Sequence, residues 1–154
     1  MIQTRWLDEA VQRAKEKYKS QRAQEERLAY EEAMKRRLGG QFCRQLFAWF
    51  QSIEGGFNTK FGAHVLAVSV SGDEGSRSAQ VLAKPTCTEE RIANLDYQNN
   101  SASLRLSMGS GKTADTPQVI KLVLSAEQTL LAEIGKERYT SEQLGQKIID
   151  DLLA

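Results

Sequence analysis

The first 38 residues, MIQTRWLDEAVQRAKEKYKSQRAQEERLAYEEAMKRRL, contain no glycine or proline, and their apolar positions recur at helical spacing. On a wheel of about 100° per residue, Leu7, Val11, Ala14 and Tyr18 share one narrow stripe, while Tyr30, Met34 and Leu38 lie on the opposite side. Between them, KSQRAQEER offers only Ala23. Glu9/Arg13, Glu31/Lys35 and Glu32/Arg36 each place an acid four residues before a base, which supports a helix. At 1.5 Å per residue this helix is roughly 50 Å long, against about 30 Å for a body of this size. Three readings follow from the divided stripe. The helix bends and packs wholly on its own domain, or its second half docks on the body while Leu7, Val11, Ala14 and Tyr18 meet another subunit or partner, or it is a solvated single helix with no contact. We carry the second forward.

Gly39-Gly40 marks the expected boundary, with an interaction arm over 1–38 and an α+β body over 39–154. Residues 41–54, QFCRQLFAWFQSIE, predict a second, buried helix. Phe42, Leu46, Trp49, Phe50 and Ile53 recur every three or four positions, and Cys43 and Phe47 widen the stripe. EGGFNTKFG then reads as a glycine-rich link whose Phe57 and Phe61 cover an edge of the core.

From residue 63 the period becomes two. AHVLAVSVS, RSAQVLAK, RIANLDYQ, SLRLSM and QVIKLVLS predict five strands, separated by turn clusters too short for parallel crossovers, hence an antiparallel meander. Leu104, Leu106 and Met108, with Ile120, Leu122 and Leu124, face inward. Their alternates Ser103, Arg105, Ser107 and Lys121 predict a polar, wet second face. The tail admits two parses. In the preferred one TLLAEIG is a sixth strand turning at Gly135; in the other a helix runs from Ser125, with Gln128 at its capping-box position, to about Lys136. In both, Thr140 caps a final helix over 141–153 with Gln143 completing the box, and Leu144, Ile148, Ile149 and Leu152 line its buried stripe. The expected class is α+β: a long N-terminal helix and a buried second helix, then an antiparallel sheet of five or six strands, with a C-terminal helix.

Composition narrows the partners. With 154 residues and 40% hydrophobic content, a core can form without metal or disulfide. The 21 Lys and Arg against 20 Asp and Glu leave a net charge of +1, which removes any global case for nucleic acid or membrane binding. Locally, residues 1–38 hold ten bases and seven acids, with Lys15, Lys19 and Arg22 on one side and Lys35-Arg36-Arg37 followed by Arg44. Only Tyr18 is interleaved as a stacking ring, so nucleic acid is not the expected partner. No apolar run reaches the roughly 18 residues of a membrane span, and the N-terminus lacks a signal-peptide segment, so the expected location is cytoplasmic. Cys43 and Cys87 then read as reduced thiols.

The candidate chemistry is thin. Gly109-Ser110-Gly111-Lys112-Thr113 copies the end of a phosphate-binding loop, but the glycine expected five residues before Gly111 is Leu106, inside a strand, and no helix follows. His64, the single histidine, alternates with Leu66, Val68 and Val70 and reads as a residue at the core margin. A Cys–His pair needs an activated thiolate and an orienting group, for which no local residue speaks. No spacing suits a metal. The adjacent acids Asp73/Glu74, Glu89/Glu90 and Asp150/Asp151 lie in turns or at the chain end. Asp96, placed mid-strand with Asn94, falls near Arg105 and Lys121 if neighbouring strands pair in order. These four form the candidate ligand patch. No catalytic residue, metal or cofactor is expected. The function expected is that of a non-enzymatic interaction protein acting as a homo-oligomer or on a protein partner through the first helix, with a small-ligand module on the polar sheet face or in an interior pocket as the alternative, ahead of an uncharacterised enzyme or a weak nucleic-acid binder.

Overall fold

In the computed structural model, which describes residues 2–73, 75–99, 103–110, 113–114 and 116–154, helix α1 spans Ile2–Phe61. There is therefore no separate buried second helix. The apolar stripe expected of residues 41–54 belongs to the later part of α1, and the expected link is its last turns. Energetics explain the correction. Gly39, Gly40, Gly55 and Gly56 weaken a helix by roughly 1 kcal/mol each relative to alanine. Phe42, Leu46, Phe47 and Phe50 are fully buried, which stabilises by roughly 1.5–3 kcal/mol per side chain and outweighs that loss.

Gly39 also has a positive role. A Cβ on it would collide with the hydroxyl of Tyr97, which donates to Arg36 C=O at 3.5 Å and to Asn99 Oδ1 at 3.4 Å. The missing side chain is what lets the tyrosine reach the helix backbone.

The chain divides into two compact units between Met34 and Lys35. From Thr4 to Tyr30 every side chain but Ala10 is exposed. Arg5–Glu9 at 3.3 Å, Arg22–Glu26 at 3.5 Å and Arg27–Glu31 at 4.0 Å link successive turns. Glu9 thus turns back to Arg5 rather than on to Arg13.

In the second unit, eight strands form one antiparallel sheet among the described residues, where five or six were expected. They are β1 (Leu66–Gly72), β2 (Ser76–Ala83), β3 (Arg91–Gln98), β4 (Ser103–Ser110), β5 (Thr113–Ala114), β6 (Gln118–Leu124), β7 (Leu130–Ile134) and β8 (Glu137–Tyr139). Seven follow one path, β1-β2-β3-β4-β6-β7-β8, while β5 folds back on β4. The expected meander is present; the additions are the two shortest strands, of two and three residues. The tail follows the preferred parse. Ser125 closes a turn on Thr129 through both its N–H and its Oγ, and Gln128 takes a left-handed φ of 64°, so no helix starts there.

Helix α2 (Ser141–Leu153) opens on the expected capping box. Gln143 N–H donates to Thr140 Oγ1 at 3.3 Å, and the Gln143 side chain accepts from Thr140 N–H at 3.1 Å. Its Leu144, Ile148, Ile149 and Leu152 join the α1 stripe and one face of the sheet in a single core. Gly145 faces the Trp49 ring, which occupies the space a Cβ would need. At its far end Arg91 donates to Leu152 C=O at 3.4 Å and to Ala154 C=O, while its Nε holds Glu89 at 2.9 Å.

Candidate functional site

Since the helices cover one face of the sheet, the alternate residues of each strand build the other. Antiparallel pairing stacks them in rows. Ser69, Gln80, Asn94 and Ser107 form one row across β1 to β4; Ser71, Ser78, Asp96, Arg105 and Val119 form the next, reaching β6. Hydrogen bonds run along the rows. Gln80 Nε2 donates to Asn94 Oδ1 at 3.3 Å, Ser71 Oγ and Ser78 Oγ lie 3.1 Å apart, and Gln98 Nε2 donates to Ser76 Oγ at 3.3 Å in the row beyond. The rows enclose a cleft of about 600 Å³ bounded by Ser69, Ser78, Asn94, Asp96, Arg105 and Pro117.

Three of the four residues of the expected ligand patch, Asn94, Asp96 and Arg105, thus share one cleft. Lys121 does not line it. Register is the reason: Leu104 faces Ile120 and Arg105 faces Val119, so Lys121 falls one row further on, opposite Glu133. Glu133 is itself held by Arg138 at 3.2 Å. Asp96 and Arg105 are cross-strand neighbours, yet no ion pair joins them among the described residues. A carboxylate that only accepts and a guanidinium that only donates therefore both face the cleft. Beside them Val119 is 61% exposed, a large apolar side chain on a polar face.

The stripe on the N-terminal helix is equally concrete. Leu7 is 54%, Val11 43% and Tyr18 67% exposed, Ala14 is exposed between them, and Trp6, on the flank of the stripe, is 62% exposed.

Cys43 is buried, and burial pushes its thiol up to about 12, the opposite of what a nucleophile needs. Cys87 is exposed. His64 is exposed and sits ahead of β1 rather than in it, its Nδ1 3.4 Å from Asn58 Nδ2. Glu89 pairs with Arg91 and Asp151 with Lys147 at 3.3 Å, while Asp73 Oδ1 accepts from Gly75 and Ser76 N–H in a turn. Glu74 lies outside the described residues. So do Gly111 and Lys112 of the phosphate-loop lookalike; around them, Leu106 is in β4 and Ser110 pairs with Thr113 of β5 across the hairpin. Among the described residues, no group of three or more His, Cys, Asp or Glu could hold a metal, and no helix is long and apolar enough to cross a membrane.

Asn58 escaped the sequence reading. Its Oδ1 accepts from Val65 and Leu66 N–H, each at 2.9 Å, and its Nδ2 donates to Leu66 C=O at 2.8 Å, joining the end of α1 to the start of β1. A side-chain bond to backbone eight residues on leaves no periodic trace. No family model, curated protein or solved structure matches the chain at a significant level.

Proposed function

We propose that the chain is a non-enzymatic interaction protein that self-associates or docks a protein partner through its N-terminal helix. The observation that carries this reading is the exposed row of Leu7, Val11, Ala14 and Tyr18. Their 4-3-4 spacing is that of a coiled-coil seam. Charge favours a second copy running antiparallel. A parallel pair sets Lys17 beside Arg22 of the second copy, whereas an antiparallel pair sets Asp8 beside Lys15. The test is sedimentation of the full chain beside a Leu7→Glu/Val11→Glu variant. The wild type is expected above the mass of one chain, and the variant at a lower mass than the wild type at the same concentration. A wild type that sediments as one chain at high concentration rules self-association out.

A second reading rests on the cleft. Asn94, Asp96 and Arg105 offer acceptors and donors to a small polar ligand, and their open hydrogen-bonding capacity favours it. Ligand-observed NMR with a panel of monosaccharides, amino acids and nucleosides checks it. A binder lost in both Asp96→Ala and Arg105→Ala supports the reading; silence across the panel at millimolar concentration removes these classes.

A further inference from the structure

The two edges of the sheet are built differently. β8 closes one side with three residues, including Glu137 and Arg138. Short, charged edges resist further pairing. β1 closes the other side with seven residues, LAVSVSG, that carry no charge and no proline.

The register says which backbone groups of β1 point outward. Lys84 N–H donates to Val65 C=O and Asp73 N–H to Ser76 C=O, both at 2.9 Å. With Leu66 through Gly72 paired to Ala83 through Arg77, the hydrogen-bonded rungs to β2 fall at residues 65, 67, 69, 71 and 73. Leu66, Val68 and Val70 therefore turn their N–H and C=O away from β2. At Leu66 both groups are occupied, because Asn58 accepts from the one and donates to the other. That is the two-bond pattern a neighbouring strand offers, supplied here by a side-chain amide. Past it, among the described residues, no partner meets the outward groups of Val68 and Val70.

We propose that this edge pairs with a second copy of the chain, β1 against β1, antiparallel about a twofold axis at Ser69. Val68 then faces Val70 of the second copy and Val70 faces Val68, forming four backbone hydrogen bonds, while Ser69 faces Ser69 and Ala67 faces Ser71. The occupant follows from side-chain pattern. Val68 and Val70 pack against the core on the helix-bearing face, whereas Ser69 and Ser71 are exposed on the polar one. The twofold joins apolar to apolar and polar to polar, so β1 is its own complement. Asn58 ends the pairing at Leu66, which keeps the contact small and reversible. Ser69 and Ser71 of each copy also border the cleft, so the two clefts meet across the axis.

Residue-resolved hydrogen exchange of the full chain over a range of concentrations tests this. Exchange at Val68 and Val70 N–H is expected to slow about tenfold or more as concentration rises, while Ser69 and Ser71 N–H, already bonded to β2, hold their rates. Ser69 is exposed, so Ser69→Lys and Ser69→Glu leave the fold intact but set like charges face to face. Each variant alone is expected to lose the protection, and a mixture of the two to regain it. Leu7→Glu/Val11→Glu is expected to leave it unchanged, which separates this contact from one made by the N-terminal helix. Rates at Val68 and Val70 that do not change with concentration, or a Ser69→Lys chain protected like the wild type, overturn the proposal.

Discussion

The two parts of α1 reach the same helix by opposite means. Up to Met34 the sequence has no glycine, and from Thr4 to Tyr30 its side chains are exposed but for Ala10. From Lys35 to Phe61 there are four glycines, and Phe42, Cys43, Leu46, Phe47 and Phe50 are buried. Where nothing covers a helix, intrinsic propensity and pairs such as Arg5–Glu9 and Arg22–Glu26 must hold it. Where a core covers it, poor helix formers are tolerated and can be needed, as Gly39 is for Tyr97. Glycine content tracks what the helix touches, not whether it forms.

The contrast can be broken most sharply with large side chains. Phe50→Ala is expected to cost about 3–5 kcal/mol in urea unfolding, against less than about 0.5 kcal/mol for Tyr18→Ala in the exposed part. Comparable losses are the result that erases the distinction.

Alkaline pH probes the buried part without a cavity. The Cys43 thiol titrates near 9.0 when unfolded, and burial raises it to about 12 in the fold. Below pH 9 both states hold the proton and stability is intact. Between 9 and 12 the unfolded chain releases it while the folded chain keeps it, so stability falls by about 1.4 kcal/mol per pH unit. Tyr97, also raised to about 12 by burial and by Cys43, adds to the slope above pH 10. Cys43→Ala is expected to remove the slope between pH 9 and 10; chemical denaturation across that range measures it.

The finest division lies among the glycines themselves. Gly39→Ala drives a Cβ into the Tyr97 hydroxyl and is expected to destabilise by about 1–3 kcal/mol, most of it recovered in a Tyr97→Phe background. Gly55 has open space around it, so Gly55→Ala is expected to stabilise by about 0.4–1 kcal/mol. Equal shifts in thermal midpoint contradict the assignment.

What could be read beforehand depended on whether the signal was periodic. Alternation placed β1 to β4, β6 and β7 close to their true bounds, and Thr140 with Gln143 fixed the start of α2. Gly39-Gly40 misled because a glycine pair signals a break only when packing is left out, and here Tyr97, far along the chain, gives the first of them its purpose. β8 is too short to alternate. Of the four residues expected to lie together, Asn94, Asp96 and Arg105 follow from strand order and border one cleft, but the place of Lys121 depended on the β4–β6 register. Asn58 was invisible because its bonds depend on where two elements meet.

The meander bears on the order in which the molecule assembles. Each strand along the path hydrogen-bonds to a near neighbour in sequence, so every hairpin closes a loop of modest length at small entropic cost. Among the described residues, the hydrogen bonds that span the chain furthest are side-chain ones, Tyr97 to Arg36 and Arg91 to Leu152, each 61 residues apart, and Arg91 to Ala154, 63 apart, beside the apolar packing of both helices on the sheet. Hairpins should zip quickly and locally, leaving the seating of the two helices on the finished sheet as the slow, committing step of folding.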